Sequence, residues 1–358
     1  MTTRQSRSGR ILEIGEGGLF GWAMPERTDV YYTSYRPDFR AGRQYLGIRS
    51  LWRIFRAVRR DEYALIALHP PTYAGWHPRS FLAGLKYSLL KGRVSETYGA
   101  LLSPLLFQLL RFLKHPRIVA IERSDVFGLP PHQFFLLDTA AAFFKRELTV
   151  DRWRLFYRTG HRNLPGRTFR TKKRWVRRMA KLRPIGIGLM SDHAAQAAAA
   201  YGAEKTADVF FAGTWEGNST VRLAVPAILE ALRAAGVHVD QPKGFVPRDE
   251  FLRRCASAWI TLSPEGLGWD CFRHIEAALA GSVPLVNVPT IERYRPLVIG
   301  EHCLAYVPDE NRVVEIVTQA LADKDKLRAM ATVAHQHALA HLTDRAMAEA
   351  ILEEFSGN

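Results

Sequence analysis

Short apolar runs alternate with segments of helical periodicity through the second half of the chain. Asp208–Gly213 (DVFFAG) is a β-rich run ended by glycine and predicts a buried strand. A polar loop, TWEGNST, follows, and Val221–Ala235 then has helical spacing that stops at Gly236. A helix over Asp249–Ala256 leads to a strand at Trp259–Leu262. The glycine-bearing loop SPEGLGWD precedes a short helix, Cys271–Ala280, which Gly281 ends. Strands at Val283–Asn287 and near Leu304–Val307 come next, then helices at about 310–322 and 325–341. Alternating strands and helices with short connections predict parallel strands in a doubly wound sheet.

The first half reads less cleanly. Strands are predicted at Val30–Ser34, Ala64–His69 and Arg117–Glu122, and a helix at Gln133–Phe144. Phe81–Lys114 is mostly helical in pattern and strongly apolar, interrupted at Pro104. It is too broken to span a bilayer, which takes ~20 apolar residues. It suits either a buried helix pair or a segment lying at a membrane interface. Arg152–Arg183 is basic and contains no acid, and RPIGIG at Arg183–Gly188 breaks the helical pattern. The expected division is therefore 1–185, 186–343, and a last helix near 344–355 within 344–358 that could return to the first unit.

Charge sharpens that division. The chain of 358 residues has a net charge of +15. Residues 1–185 hold 35 Lys and Arg against 13 Asp and Glu, and the remainder holds 15 against 22. A basic half suits nucleic acid, an anionic membrane surface or an anionic substrate. Regular basic–aromatic interleaving and known binding motifs are absent, so nucleic acid is not the expected partner. Cys255, Cys271 and Cys303 are sparse and show no metal-ligand spacing. With the polar start MTTRQSRSGR, they give the expectation of a cytoplasmic protein, with peripheral attachment at the inner face of the membrane as an option.

The most specific segment is Ser263–Val286 (SPEGLGWDCFRHIEAALAGSVPLV). A strand ends, glycines admit a ligand to the backbone, and a helix N-terminus points to the same place, a geometry that suits phosphate. Arg273 and Glu276 share one helix face. They could meet a diphosphate and ribose hydroxyls, or simply form a surface ion pair. Asp125 follows a strand end, where it could serve as a general base or only cap a turn. His69 and His161 are lesser candidates.

Phe272, Arg273, Glu276, Ala277, Gly281 and Pro284 resemble the donor-site signature of GT-B glycosyltransferases. The likeness is to glycosyltransferase group 1 and especially to its exostosin-like and spore-maturation-type branch. Glu265-Gly266-Leu267-Gly268 is similar to the opening of the group's Glu-x7-Glu motif, although Glu265 stands eleven residues before Glu276. Gly213 and Thr214 with Asn218, Ser219 and Arg222 resemble the loop that meets the diphosphate and donor sugar. Gly244-Phe245-Val246-Pro247 resembles the loop that receives the nucleobase. The resemblance implies an α/β GT-B fold, two Rossmann-like domains facing across a cleft. It also implies a metal-independent transferase with no cofactor beyond a nucleotide-sugar donor, and a glycan or lipid-linked acceptor. The alternatives are a sugar-nucleotide epimerase on the same frame and a basic nucleic-acid-binding protein.

Overall fold

The computed structural model describes residues 9–15, 18–33, 44–71, 102–103, 105–156, 173–216 and 219–356. They form two separate parallel sheets. The first contains β1 (Ile11–Gly15), β2 (Thr28–Tyr32), β3 (Leu65–His69), β4 (Ile118–Glu122), β5 (Ala142–Lys145) and β6 (Leu182–Pro184), in the order β2-β1-β3-β4-β5-β6. The second contains β7 (Ala207–Phe210), β8 (Val239–Asp240), β9 (Ala258–Ser263), β10 (Val283–Asn287) and β11 (Leu304–Tyr306), in the order β11-β10-β9-β7-β8. Every pairing between these strands is parallel.

Parallel strands covered on both faces read as unbroken apolar runs. That is the pattern of β3, β4 and β10, whose residues are all buried. In the second sheet Val209, Ile260 and Val283 lie abreast and fully buried.

The same property defeats the expected helix at Gln133–Phe144. The helix there is only Phe134–Thr139, and Ala142–Lys145 is strand β5, fully buried between β4 and β6. A short apolar run buried on both faces carries no period that separates strand from helix. Strand β1 escapes notice because Glu13 interrupts its apolar run, yet Glu13 is itself buried.

Helix Ile48–Arg59 and helix Phe134–Thr139 cover one face of the first sheet, around Leu12, Leu68, Ala120 and Phe143. The other face is closed by Phe20–Ala23 and by the last helix, Asp344–Ser356. Met347, Ala348 and Ile351 of that helix are buried against Ile11, Leu65 and Val119. Burying each large side chain contributes on the order of 2 kcal/mol. The chain's end is thus anchored on the sheet where the chain begins.

Where the two sheets meet, the contacts are polar and specific. Arg152 holds Glu292 through two hydrogen bonds of 2.7 and 2.6 Å, and the Glu292 amide donates to the Leu148 carbonyl at 2.7 Å. Strand order reverses direction between β1 and β3 in one sheet and between β7 and β9 in the other. Crevices beyond such switch points are where open α/β sheets bind ligands. Most of the Phe81–Lys114 segment lies outside the described residues. Among the described residues no helix is long and apolar enough to cross a membrane.

Candidate active site

The switch point of the second sheet opens on a cleft of about 880 Å³. Residues 211–216, which follow β7, line one wall, and Cys271, Phe272, Arg273 and Glu276 line another. Gln241–Pro242, Gly244–Val246 and Arg248 complete it. Of the residues singled out from the sequence, Gly213, Thr214, Phe245, Val246, Arg273 and Glu276 therefore share one cavity. Asn218 lies outside the described residues.

Helix Phe272–Leu279 brings its first turn to this cleft, and no side chain caps its N-terminus. Its free amides carry the positive end of the helix dipole. Arg273 lies over the Phe211 ring, 5.5 Å from the centroid. Its Nε and Nη1 are buried and have no hydrogen-bond partner among the described residues. Arg222 is close by and buried, held by the carbonyls of Glu265 at 2.6 Å and Thr214 at 3.2 Å. Burial, and then the charge of Arg273, push the Arg222 guanidinium down from its ordinary range. Arg273 lines the cleft and Arg222 does not, but two cations held together beside a partly dry wall favour an anion.

Glu276 does not pair with Arg273. It accepts from Arg248 Nη1 at 2.6 Å, and Glu276 is buried while Arg248 is partly exposed. Arg248 was not singled out from the sequence; its one signal is its place at the head of a helix directly after Pro247. Phe245 is 93% exposed, so its ring is not core but a free apolar face at the cleft mouth. Ser219 caps the short helix Thr220–Leu223, accepting from the Arg222 amide at 3.3 Å, and so helps to aim Arg222.

The loop 265–270 has a different job in this structure. Glu265 does not line the cleft: its amide donates to Asn287 Oδ1 at 2.8 Å, and its Oε2 accepts from Asn287 Nδ2 at 2.9 Å. A Cβ on Gly266 would stand 3.4 Å from Arg222, and one on Gly268 only 2.3 Å from Glu147 Oε1. Glu147, fully buried in the first half, accepts from the amides of Trp269 at 3.0 Å and Asp270 at 3.3 Å. Burial pushes the carboxyls of Glu147 and Asp270 up. His274 Nε2 donates to the Trp269 carbonyl at 3.1 Å, which leaves Nδ1 to accept from the Ser263 hydroxyl at 2.6 Å.

Asp125 lies just beyond β4, half-exposed and ion-paired with Arg146. That guanidinium also donates to the Arg123 carbonyl at 2.8 Å and to the Asp270 carbonyl at 3.2 Å, linking Asp125 to the loop ahead of helix Phe272–Leu279. Asp125 does not line the cleft of the second half. His69 ends β3 at the first sheet's switch point and pairs with Glu13 at 2.7 Å, both buried. Burial raises the Glu13 carboxyl, but His69 and the amides of Leu19 and Gly21 outweigh it and hold the carboxyl below its usual range. His161 lies outside the described residues.

No protein-family model matches the chain, and no curated protein does. Solved structures do. A glycosyltransferase from Rickettsia africae ESF-5 aligns over 98% of this chain and 99% of its own, with a TM-score of 0.50 and 7% identity. Sucrose-phosphate synthase from Thermosynechococcus elongatus aligns over 96% and 97%, with a TM-score of 0.47 and 12% identity. Anabaena HepE in complex with UDP aligns over 98% and 100%, with a TM-score of 0.46 and 12% identity. The similarity is one of fold: the chain has the two-sheet α/β arrangement of the GT-B kind.

Proposed function

We propose that this chain is a metal-independent GT-B glycosyltransferase, related to the exostosin-like and spore-maturation-type branch. It would bind a nucleotide-sugar in the cleft of its second half and pass the sugar to an acceptor held by the basic first half. The Arg222–Arg273 pair carries the reading: two neighbouring guanidiniums, without a carboxylate partner among the described residues, beside an uncapped helix N-terminus. A diphosphate supplies the oxygens that the buried Arg273 nitrogens lack. Phe245 then offers its exposed ring to the nucleobase, whose edge meets the backbone at Val246. Glu276 accepts from the ribose hydroxyls, sharing its carboxylate with Arg248. Gly213, Thr214 and Ser219 border the donor sugar.

In the reaction an acceptor oxygen forms a bond to the anomeric carbon as the bond from that carbon to the diphosphate breaks. The two arginines and the helix dipole stabilise the charge that develops on the departing diphosphate. Asp125, beyond β4, is the leading candidate to take the acceptor's proton; Arg146 fixes its carboxylate. The acceptor class that fits a basic half is a glycan or lipid-linked glycan carrying negative charge. Titration with UDP, GDP and ADP should show one nucleoside diphosphate binding, and its sugar conjugate should be consumed only when acceptor is added. A chain that binds none of the three would end this reading.

A further inference from the structure

One face of the first sheet is covered by elements that are basic and apolar on their outer side. Helix Ile48–Arg59, the turn Leu109–Phe112 and helix Lys173–Ala180 all pack on the same core. Inward, Leu51, Ile54, Val58 and Leu110 are buried, and Trp175 meets the Phe134 ring edge-on at 5.3 Å. Outward, Ile48 is 70%, Trp52 62% and Phe112 65% exposed. Every charged residue in the three elements is Arg or Lys; Asp138 of the adjoining helix Phe134–Thr139 pairs with Arg174 and Arg178 of the last of them. The opposite face is closed by Asp344–Ser356, where Arg345 stands among Asp344, Glu349, Glu353 and Glu354.

Exposed tryptophan and isoleucine among arginines suit the boundary between lipid headgroups and acyl chains. There the indole and aliphatic side chains leave water while the guanidiniums meet phosphates. Arg56 already lies over the Trp52 ring at 5.4 Å, and a groove of about 590 Å³ runs between Ile48, Trp52, Phe55 and Arg59. Nucleic acid would use the arginines but leave Ile48 without a partner. We propose that this face docks on an anionic phospholipid surface, with Ile48 and Trp52 at headgroup depth and Arg53, Arg56 and Arg59 on the phosphates. None of these residues lines the donor cleft, so the docking face stands apart from the transferase reading.

Flotation of the full chain with vesicles tests it. Phosphatidylcholine vesicles containing about one-third phosphatidylglycerol should bind the chain at least tenfold more tightly than phosphatidylcholine alone, and high salt should release it. Ile48→Ser/Trp52→Ser and Arg53→Gln/Arg56→Gln/Arg59→Gln should each weaken binding roughly tenfold, with melting temperature and nucleoside diphosphate binding unchanged. Equal binding to both vesicles, or no binding to either, overturns the proposal. So does binding that survives Ile48→Ser/Trp52→Ser and is competed by a short DNA duplex. If that variant melts early, quenching of the wild-type tryptophans by brominated lipid supplies the readout: quenching supports docking, and its absence overturns it. A chain that bound anionic vesicles but no nucleoside diphosphate would support docking while ending the transferase reading.

Discussion

Gly213 leaves no room for a side chain beneath Arg273: a Cβ there would stand 2.5 Å from the guanidinium Nη2. Its φ of +153° is also a conformation that L side chains rarely adopt. Gly213→Ala should therefore displace Arg273 and cost on the order of 1–3 kcal/mol of stability. Nucleoside diphosphate affinity should fall by at least about tenfold, read by calorimetric titration. Unchanged affinity in a folded variant would mean that Arg273 does not meet the ligand.

This pairing also marks how far the sequence could be read. The strand–loop–helix units of the second half follow from glycine-ended apolar runs, and β10 begins and ends at the expected residues, Val283–Asn287. Gly213 and Arg273 belong to different units, and no local spacing says that they touch. Arg248, Glu147 and Asn287 were invisible for the same reason: each acts on a residue at least 22 positions away. In the first half β5 was hidden because burial on both faces erases the period, and β1 because a buried Glu13 imitates a polar break.

Arg273→Met should separate stability from function. The native side chain holds two buried nitrogens without partners among the described residues and faces a second cation, Arg222. Removing such a charge relieves desolvation and repulsion, so the ligand-free variant should gain about 1 kcal/mol. The same change should weaken nucleoside diphosphate binding by roughly 10- to 100-fold. Thermal melts with and without nucleotide give both numbers; a variant that is destabilised without ligand would contradict the account.

Glu276→Ala takes the carboxylate from Arg248, which keeps its bonds to Gln196 Oε1 at 3.0 Å and the His193 carbonyl at 3.4 Å. Nucleotide binding should weaken about tenfold, the worth of a hydrogen bond to a charged group. Glu276→Gln, which keeps an acceptor, should lose less. A deoxyribose nucleotide should narrow the gap between variant and wild type if Glu276 meets the ribose; an unchanged gap would point to a role through Arg248 alone.

His274 makes stability depend on pH. Burial, outweighing its bond to the Trp269 carbonyl, pushes the imidazole down to about 3. The unfolded chain takes up that proton near the ordinary histidine value, ~6.5, while the folded chain resists it. Between those values the unfolded state binds more protons, so stability is full above the upper one and falls as pH drops toward the lower. The contribution is on the order of 2–4 kcal/mol across that window. Urea melts at successive pH values should show a flatter limb in His274→Gln than in wild type; identical limbs would place the acid sensitivity elsewhere.

Gly268 and Glu147 offer a test of how the two halves are joined. Glu147 is fully buried and receives the amides of Trp269 and Asp270 as well as Arg146 Nε at 3.2 Å. Glu147→Ala leaves those donors unsatisfied and should cost about 3–5 kcal/mol, as when one partner of a buried pair is removed. Gly268→Ala forces a Cβ to within 2.3 Å of the Glu147 carboxylate and should cost about 1–3 kcal/mol by overpacking. In the double variant the carboxylate is gone, and much of the second penalty should vanish, giving a coupling energy of at least about 1 kcal/mol. Because loop 265–270 leads directly into Phe272–Leu279, each single change should also lower nucleotide affinity. Strict additivity of the two changes, measured by denaturant unfolding, would show that the loop and the first half are not in contact in solution.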